Sequence, residues 1–488
     1  MPSNAEPIVT QIQHDMQALL AYVTGPEAAR QTAATVERTL FRQLLTLGAA
    51  LLRLFFLTRV AERPPAPQSA DGTLLRYHDQ RTTTYFSIFG KLRFERHSFR
   101  TPGQPGCCPV DADLSLPERC YSDLLRDWSA YDATDGAYRE TVAALERFFG
   151  LQLSVQALEV NLAADAQDVA AFYAQPPAAR DPRAAGSILV VQADGKGVPM
   201  VQLPLQKPPL RLGRGQKRTK KKEAVVTSLY TIAPYLRTPA DVHAALMHEE
   251  RQPALAARPR PIAKELRASL EGKAVALQLL RQRAALREGP QLQHRVALSD
   301  GAESLQDQLQ EVFPAHTLVL DIIHASEYLW DTATALLGET SPERTPWVSA
   351  KLLLVLQGQV ATVLSQLAQE AAKPEWTAVQ RKAIQRTMGY YERNQAHMRY
   401  DEYLAKGWPI GTGVVEGACG HLVKDRMEQA GMRWTQSGAQ AMLDLRAVRL
   451  NGDWEAYWQF HQQQQHQRLY GSSAPRASPE AQMLQMAA

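Results

Sequence analysis

Leucines recur at helical spacing in the N-terminal part of the chain. They are separated by four, three, four and three positions, which places them on one face of a helix. The pattern predicts a helix over residues 27–57 that either packs within its own domain or contacts a second copy of the chain. The leucines on this face are Leu40, Leu44, Leu47, Leu51 and Leu54.

Apolar and polar residues alternate over residues 83–100, on both sides of Gly90. Because a period of two is typical of strands and glycine is typical of turns, this segment is predicted to be a β-hairpin.

Two helices are predicted next, over residues 137–149 and 154–173, with Gly150 between them and Ser154 as an N-cap. Their spacing is that of a helix-turn-helix motif. The second helix carries acidic residues and neither Lys nor Arg, so it would repel DNA phosphates. Packing inside the protein is therefore favoured, and reading of a DNA groove is the alternative.

From residue 187 onwards the pattern changes to apolar runs of strand length with helices between them. A long helix is predicted over residues 254–287, because apolar residues recur on one helical face there, and the chain after residue 324 is predicted to be helical. The pattern indicates an α/β fold with five strands. The strands are predicted over residues 187–194, 198–203, 223–232, 294–300 and 316–321.

Composition narrows the class of protein. Hydrophobic residues make up 45% and charged residues 21% of 488 residues, which excludes disorder over the whole length. Four cysteines are too few for a disulfide framework, so a cytoplasmic protein is expected. The most apolar run, residues 44–57, contains Arg53 and is shorter than the roughly 20 residues of a membrane span, so no membrane association is expected. Cys107 and Cys108 are adjacent, which favours free thiols over a zinc site.

Aspartates stand at the ends of three predicted strands. These are Asp194, Asp300 and Asp321. Ligands and catalytic groups collect at the carboxyl ends of strands in an open sheet, and carboxylates brought together there repel one another unless a cation joins them. Oxygen ligands of this kind suit Mg²⁺. A fourth acid, Glu416, is predicted in the first turns of a helix among small residues, which leaves room for a bulky partner.

A second charged feature is basic. Between residues 211 and 222 the chain has seven basic residues and no acid, a pattern that favours contact with a nucleic-acid backbone over a solvated loop. Near Glu416, two further basic residues could face phosphates. The predicted DNA-binding residues are Arg211, Arg214, Lys217, Arg218, Lys220, Lys221, Lys222, Lys424 and Arg426.

Several segments, taken in order, resemble one family of proteins. The segments that carry the resemblance are QADGKGVPM, ALSDGAESL, LVLDIIHASEYLW and PIGTGVVEGACGHLVKDRME, together with the hairpin FGKLRFERHSF, the segment LSLP and the C-terminal RLNGDWEAYWQFH. They resemble bacterial insertion-sequence transposases of the Kra type, which are relatives of the Mutator-like DDE transposases. The resemblance covers residues 83–461.

The resemblance implies an RNase H-like catalytic core with a mixed five-stranded sheet, interrupted by a large helical insertion. It implies two Mg²⁺ or Mn²⁺ ions per active site, held by Asp194, Asp300 and Glu416. Asp321 and His324 match a further motif of the family and are expected beside the metals as catalytic groups. Asp321 is the alternative to Asp300 as the second metal ligand.

The resemblance also implies a function. Such an enzyme cuts DNA at the ends of its element and joins the freed 3′-OH to target DNA. Its partners would be double-stranded DNA, both the terminal inverted repeats and the target, and it would act as a homodimer or higher oligomer in the bacterial cytoplasm, associated with the nucleoid. The alternatives are an RNase H-like nuclease without strand transfer and a non-catalytic, transposase-derived DNA-binding protein.

The predicted organisation has six parts. They are an N-terminal helical segment (1–63), a hairpin and helical region for DNA binding or assembly (83–175), the first part of the core (187–330), the helical insertion (331–408), C-terminal helices that complete the core with Glu416 (409–460), and a flexible tail (471–488).

Overall fold

The structure is a computed structural model that describes residues 5–69, 71–176, 186–202, 221–249 and 257–471. The predicted tail lies almost wholly outside the described residues. The strands are β1 (Arg76–Ser87), β2 (Gly90–Arg100), β3 (Ile188–Pro199), β4 (Lys221–Ile232), β5 (Ile262–Ser269), β6 (His294–Ser299) and β7 (Thr317–Leu320). The helices are α1 (Glu6–Thr24), α2 (Pro26–Ala29), α3 (Ala33–Val60), α4 (Pro109–Asp113), α5 (Asp123–Ala133), α6 (Tyr138–Phe149), α7 (Val155–Asp165), α8 (Val169–Ala174), α9 (Pro239–Leu246), α10 (Lys273–Ala285), α11 (Glu303–Val312), α12 (Ile322–Leu337), α13 (Arg344–Leu356), α14 (Val360–Ala371), α15 (Ala378–Asn394), α16 (Tyr400–Ala405), α17 (Gly413–Ala418), α18 (Asp425–Met427), α19 (Gln436–Asn451) and α20 (Trp454–Tyr470).

The chain divides into two compact units. Unit 1 comprises Met1–Asp168 together with Trp454–Ala488, and unit 2 comprises Val169–Asp453. Unit 2 is therefore inserted into the sequence of unit 1, and α20 returns the chain to unit 1.

The leucine-bearing helix, α3, begins later than predicted and ends three residues later, and residues Pro26–Ala29 form the separate short helix α2. Helix α3 begins after Thr32, whose side chain accepts a hydrogen bond from the Thr35 amide, and runs to Val60. The leucine face is only partly covered, because Leu47 is buried whereas Leu44 and Leu51 are about half exposed. The helix also has the length and apolar composition of a membrane span, a test that core helices of soluble proteins pass as well.

The predicted hairpin is confirmed. Strands β1 and β2 pair antiparallel around a turn in which Ser87 lies opposite Gly90, and Gly90 has a φ of +109°. Aromatic rings join the hairpin to α3, since Phe56 stacks on Phe94 at 4.2 Å between ring centroids.

The two helices at helix-turn-helix spacing are α6 and α7, with Gly150 in the left-handed region between them. Ser154 caps α7 as predicted, by accepting from the Ala157 amide. The predicted second helix, however, ends at Asp165, and α8 is a separate element. Asp165 is buried against Arg126 of α5 and His461 of α20, so it is part of the interior of unit 1.

Unit 2 contains a mixed five-stranded sheet with the strand order β5-β4-β3-β6-β7. Strand β3 pairs antiparallel with β4 and parallel with β6, and β7 continues the parallel half beside β6. The sequence predicted five strands but placed one of them wrongly. The described part of residues 198–203 does not form a strand of its own, because β3 continues to Pro199.

The missing fifth strand lies inside the helix predicted over residues 254–287. Ile262–Ser269 forms β5, which pairs antiparallel with β4 along most of its length, and only α10 is helical in the described part of that stretch. The spacing of Ile262, Leu266 and Leu270 fits a helix. Pairing with β4 decides the local structure instead, since tertiary contacts override a weak periodic signal.

Each face of the sheet has its own hydrophobic core. Alternate residues of β3 point to opposite sides, so Leu189 and Val191 pack with α10 and α11, whereas Ile188 and Val190 pack with the helices α12 to α16. Asp300 and Asp321 directly follow β6 and β7, as predicted, whereas Asp194 is not at a strand end, because β3 continues past it to Pro199. All three acids belong to the second of these faces.

Candidate active site

Three aspartates lie in one row across neighbouring strands. The β3–β6 ladder pairs Gln192 with Leu298, and the same register continued by two residues brings Asp194 opposite Asp300. The β6–β7 ladder pairs Ser299 with Leu320, and one further residue brings Asp300 opposite Asp321. The registers of the two ladders therefore place the three aspartates at matching positions of neighbouring strands, on one face of the sheet.

Asp194 and Asp300 are half-buried at the edge of the core. The Oδ1 of Asp194 accepts a hydrogen bond from the Gly195 amide at 2.6 Å. The Oδ1 of Asp300 accepts from the Ala302 amide at 3.0 Å. Each carboxylate thus accepts at one oxygen from an amide one or two residues after it, and each has lone pairs left for a further partner.

Asp321 has a different environment. It is fully buried, and as the N-cap of α12 its Oδ1 accepts from the amides of Ile323 and His324. Its Oδ2 accepts from both the amide and the hydroxyl of Thr412. Three amides and one hydroxyl therefore surround this carboxylate, and it fastens β7, α12 and the segment before α17 to one another.

Glu416 projects from α17, which the sheet itself positions. The buried side chain of Gln192 lies on the same face as Asp194, two residues before it, and its Oε1 accepts from the Val415 amide at 3.0 Å. Its amide group also lies 3.4 Å from the Gly411 carbonyl. Gln192 therefore holds both sides of the start of α17 against β3, and Glu416 stands next to that contact with a side chain 44% exposed.

Thr412 connects two of the acids. Its hydroxyl lies 2.5 Å from Glu416 Oε1 and also contacts Asp321 Oδ2. A hydroxyl has one proton to donate, so the two carboxylates share a single donor between them.

His324 faces Glu416 from the first turn of α12. Its Nε2 lies 3.7 Å from Glu416 Oε1, and its Nδ1 lies 3.1 Å from Glu327 Oε2. The side chain is one-third exposed, so the imidazole is held between two carboxylates with access to solvent. The expected proximity of His324 to the site acids is therefore present in the structure.

Cys419 contacts Asp194. Its thiol donates to Asp194 Oδ2 at 3.2 Å, and it begins a short π-helical turn, Cys419–Lys424. Burial, together with the negative charge of Asp194, raises the pKa of this thiol. The thiol thus keeps its proton and serves Asp194 as a hydrogen-bond donor.

The donor set suits a hard divalent cation, because Asp194 and Asp300 lie on neighbouring strands, on one face of the sheet, with spare oxygen lone pairs. Among the described residues, however, no group of three or more His, Cys, Asp or Glu side chains is arranged to hold one ion. Mg²⁺ commonly uses one or two carboxylates and takes its remaining ligands from water and substrate phosphates. Asp194 and Asp300 fit that description, and Glu416 stands on α17, the helix directly before Cys419, which contacts Asp194.

The predicted DNA-binding residues have different outcomes. Lys221 and Lys222 begin β4, where Lys221 Nζ lies 2.6 Å from Glu428 Oε1, and Lys424 is exposed. Arg426 is fully buried, with its guanidinium 5.0 Å from the Trp434 ring centroid. This corrects the expectation that Arg426 faces phosphates, because its side chain is part of the core. The remaining predicted residues lie outside the described part of the chain; they are Arg211, Arg214, Lys217, Arg218 and Lys220.

Sequence reasoning missed several residues of the site. Thr412 stands four positions before Glu416, and Cys419 three positions after it, so helical spacing could have suggested that they lie near one another. Gln192 precedes Asp194 by two positions in a strand, the spacing of a shared face. For Tyr390, which contacts the backbone of Asp300, the sequence carries no signal.

The chain was compared with family models, curated proteins and solved structures. No family model matches the chain, and no curated protein matches it. Among solved structures, the chain is similar to that of a Drosophila P element transposase strand transfer complex, with 9% sequence identity and a TM-score of 0.31 over 70% of this chain and 95% of that chain. A likeness of that size carries no argument about fold or activity.

Proposed function

We propose that this protein is a DNA transposase of the DDE type, with an RNase H-like core that cuts and joins phosphodiester bonds. The observation that carries the proposal is the row of three aspartates on one face of the sheet. Asp194 lies in β3 just past its pairing with β6, and Asp300 and Asp321 directly follow β6 and β7. Glu416 is held near this row through Gln192 and Thr412. The chain order of unit 2 also supports it, since β3, β4 and β5 are followed by α10, β6, α11 and β7. The family that these segments resemble implies the same order of strands and helices.

Asp194 and Asp300 are the proposed ligands of Mg²⁺ or Mn²⁺, together with Glu416. When bound, two such ions activate the attacking oxygen and stabilise the leaving oxygen of an in-line displacement. Asp321 is fully buried and already held by three amides and the Thr412 hydroxyl, which favours Asp300 as the second ligand and a positioning role for Asp321.

The remaining groups act on the substrate and its protons. His324 lies within 3.7 Å of Glu416, and an imidazole can deliver a proton to a leaving oxygen near neutral pH. The Cys419 thiol and the Gly195 amide orient the Asp194 carboxylate. The basic residues 211–222 would hold the phosphate backbone of DNA, because a cluster of one sign attracts polyanions.

The test uses the whole protein and a supercoiled plasmid that carries the genomic DNA from both sides of the coding sequence. With Mg²⁺ or Mn²⁺ we expect breaks at defined positions in that DNA and covalently joined products. Asp194→Asn and Asp300→Asn should each reduce the rates of cleavage and of joining by at least about 10²-fold, because each removes a charge that stabilises the transition state. Breaks without joined products would indicate the nuclease alternative. Products that are independent of the metal, or unchanged in both variants, would refute the proposal.

A further inference from the structure

The turn that carries Asp300 is held by a helix from outside the sheet. Near the C-terminal end of α15, the Tyr390 hydroxyl donates to the Asp300 carbonyl at 2.8 Å. One helical turn later, the Arg393 guanidinium donates to the Gly301 carbonyl at 2.9 Å. Because β6 ends at Ser299, these two carbonyls lie beyond its ladder, and α15 supplies donors for both.

The donor from α15 is itself rigidly placed. The Tyr390 ring stacks on Tyr328 of α12 with 3.8 Å between centroids and 10° between planes. On the turn, Gly301 has a φ of +89°, and a Cβ at that position would lie 2.4 Å from the Tyr390 hydroxyl oxygen. The ring and the turn are therefore in close contact, and there is no space for a side chain at position 301.

Both contacts from α15 are made to main-chain oxygens. They fix the backbone of Asp300 while the only hydrogen bonds to its carboxylate come from residues of its own turn, Ser299 and Ala302, within the described part of the chain. We call these two contacts, from Tyr390 and Arg393, the clamp. The clamp orients the Asp300 carboxylate and leaves its oxygens available to a metal ion.

We propose that α15, a helix of the segment between β7 and α17, is a positioning element for the site, and that Tyr390 and Arg393 hold Asp300 in its ligand geometry. The inference rests on the proposed function, since it assumes that Asp300 binds a divalent cation. In this inference α15 does not contact the reacting atoms. It affects the reaction by holding the backbone of Asp300.

The chain offers a matched control in the neighbouring residue. Tyr391 also donates its hydroxyl to a main-chain carbonyl, that of Ala325, at 2.8 Å. Tyr390→Phe and Tyr391→Phe therefore each delete one hydroxyl-to-carbonyl bond and keep the ring. Both should lose some thermal stability, but only Tyr390→Phe should weaken metal binding.

The primary measurement is the binding of Mn²⁺ alone to the whole protein. The electron paramagnetic resonance signal of the free ion measures how much Mn²⁺ is unbound. We expect Tyr390→Phe to raise the dissociation constant by about 10-fold or more, as loss of a group that orients a ligand typically does. Tyr391→Phe should match the unmodified chain. Arg393→Met should act in the same direction as Tyr390→Phe, and the metal concentration for half-maximal DNA cleavage should rise in parallel.

The outcomes separate the two proposals. If the unmodified chain binds Mn²⁺, loses it on Asp300→Asn and is unaffected by Tyr390→Phe and Arg393→Met, the clamp is refuted and the proposed function stands. A weakening that is equal in Tyr390→Phe and Tyr391→Phe would also refute the clamp, because it would reflect general stability. If the unmodified chain neither binds Mn²⁺ nor cleaves DNA in its presence, the proposed function and the inference fail together.

Discussion

At the scale of single residues, His324 is the group that could move a proton in the site. It lies between Glu327 and Glu416 and is one-third exposed. We expect His324→Ala to slow single-turnover DNA cleavage by about 10²-fold, the lower end for a lost acid–base group, while Mn²⁺ and DNA affinity change little. The control is His243→Ala, which removes a histidine bonded to Ser349 instead. If cleavage per folded molecule were the same in His324→Ala as in the unmodified chain, His324 would have a structural role only.

Thr412 tests how the carboxylates share one donor. Thr412→Val keeps the shape of the side chain but leaves Glu416 and Asp321 without the hydroxyl between them. We expect cleavage to fall by about 10- to 100-fold, the usual cost of losing a group that orients a ligand. Thr412→Ser restores the hydroxyl and should restore most of the rate. Rates that follow side-chain size, with Val close to the unmodified chain and Ser slow, would contradict this role.

At the scale of elements, the sequence predicted the strands that bear the acids and missed β5. The first six residues of β3 are an almost continuous apolar run, because both faces of that part of the strand are buried. Strand β5 is mixed in character at the edge of the sheet, so its helix-like spacing was misleading. The Asp321–Thr412 contact joins residues 91 positions apart, and no local pattern can reveal such a pairing.

Helix α20 is tied to α5, to α7 and to the turn after α7 by buried charges, which should make its attachment depend on pH. Burial lowers the pKa of His461, but the hydrogen bonds to Asp165 and Asp168 outweigh it, and the pKa is raised overall although Arg126 opposes this. A raised pKa means that His461 stabilises the fold below its unfolded-state pKa, and that this contribution disappears as pH rises through the folded-state value.

The matching variant is His461→Gln, which cannot take up the proton. At pH 5.5 we expect it to cost about 1.5–3 kcal/mol, the range for hydrogen bonds to charged groups, and at pH 9 much less. Chemical denaturation at several pH values would measure the difference between the two chains. A difference that is constant across the range, or that grows at high pH, would contradict the assigned sign.

At the scale of the whole molecule, the charge is distributed unevenly although the net charge is only +4. Unit 2 carries the acids of the site. In the sequence, the basic residues 211–222 come after β3, and the last two of them are the first residues of β4. The site and its proposed grip on DNA are therefore adjacent in sequence within one unit. In such an arrangement the basic segment supplies affinity without sequence preference, and the carboxylates supply chemistry.

Salt dependence of DNA binding tests that division of roles. Replacing Lys220, Lys221 and Lys222 with Gln should weaken binding to every duplex alike, because phosphate contacts carry no sequence information. The slope of log K against log salt should fall in magnitude by up to about 0.9 for each phosphate that the variant no longer neutralises. The control replaces Lys373, Lys382 and Lys406, exposed lysines of the helical segment, and changes the net charge by the same amount. If both triple variants altered the slope equally, the effect would reflect net charge alone. An unchanged slope in the first variant would make residues 220–222 part of a solvated surface, and the DNA grip would have to be sought elsewhere in the chain.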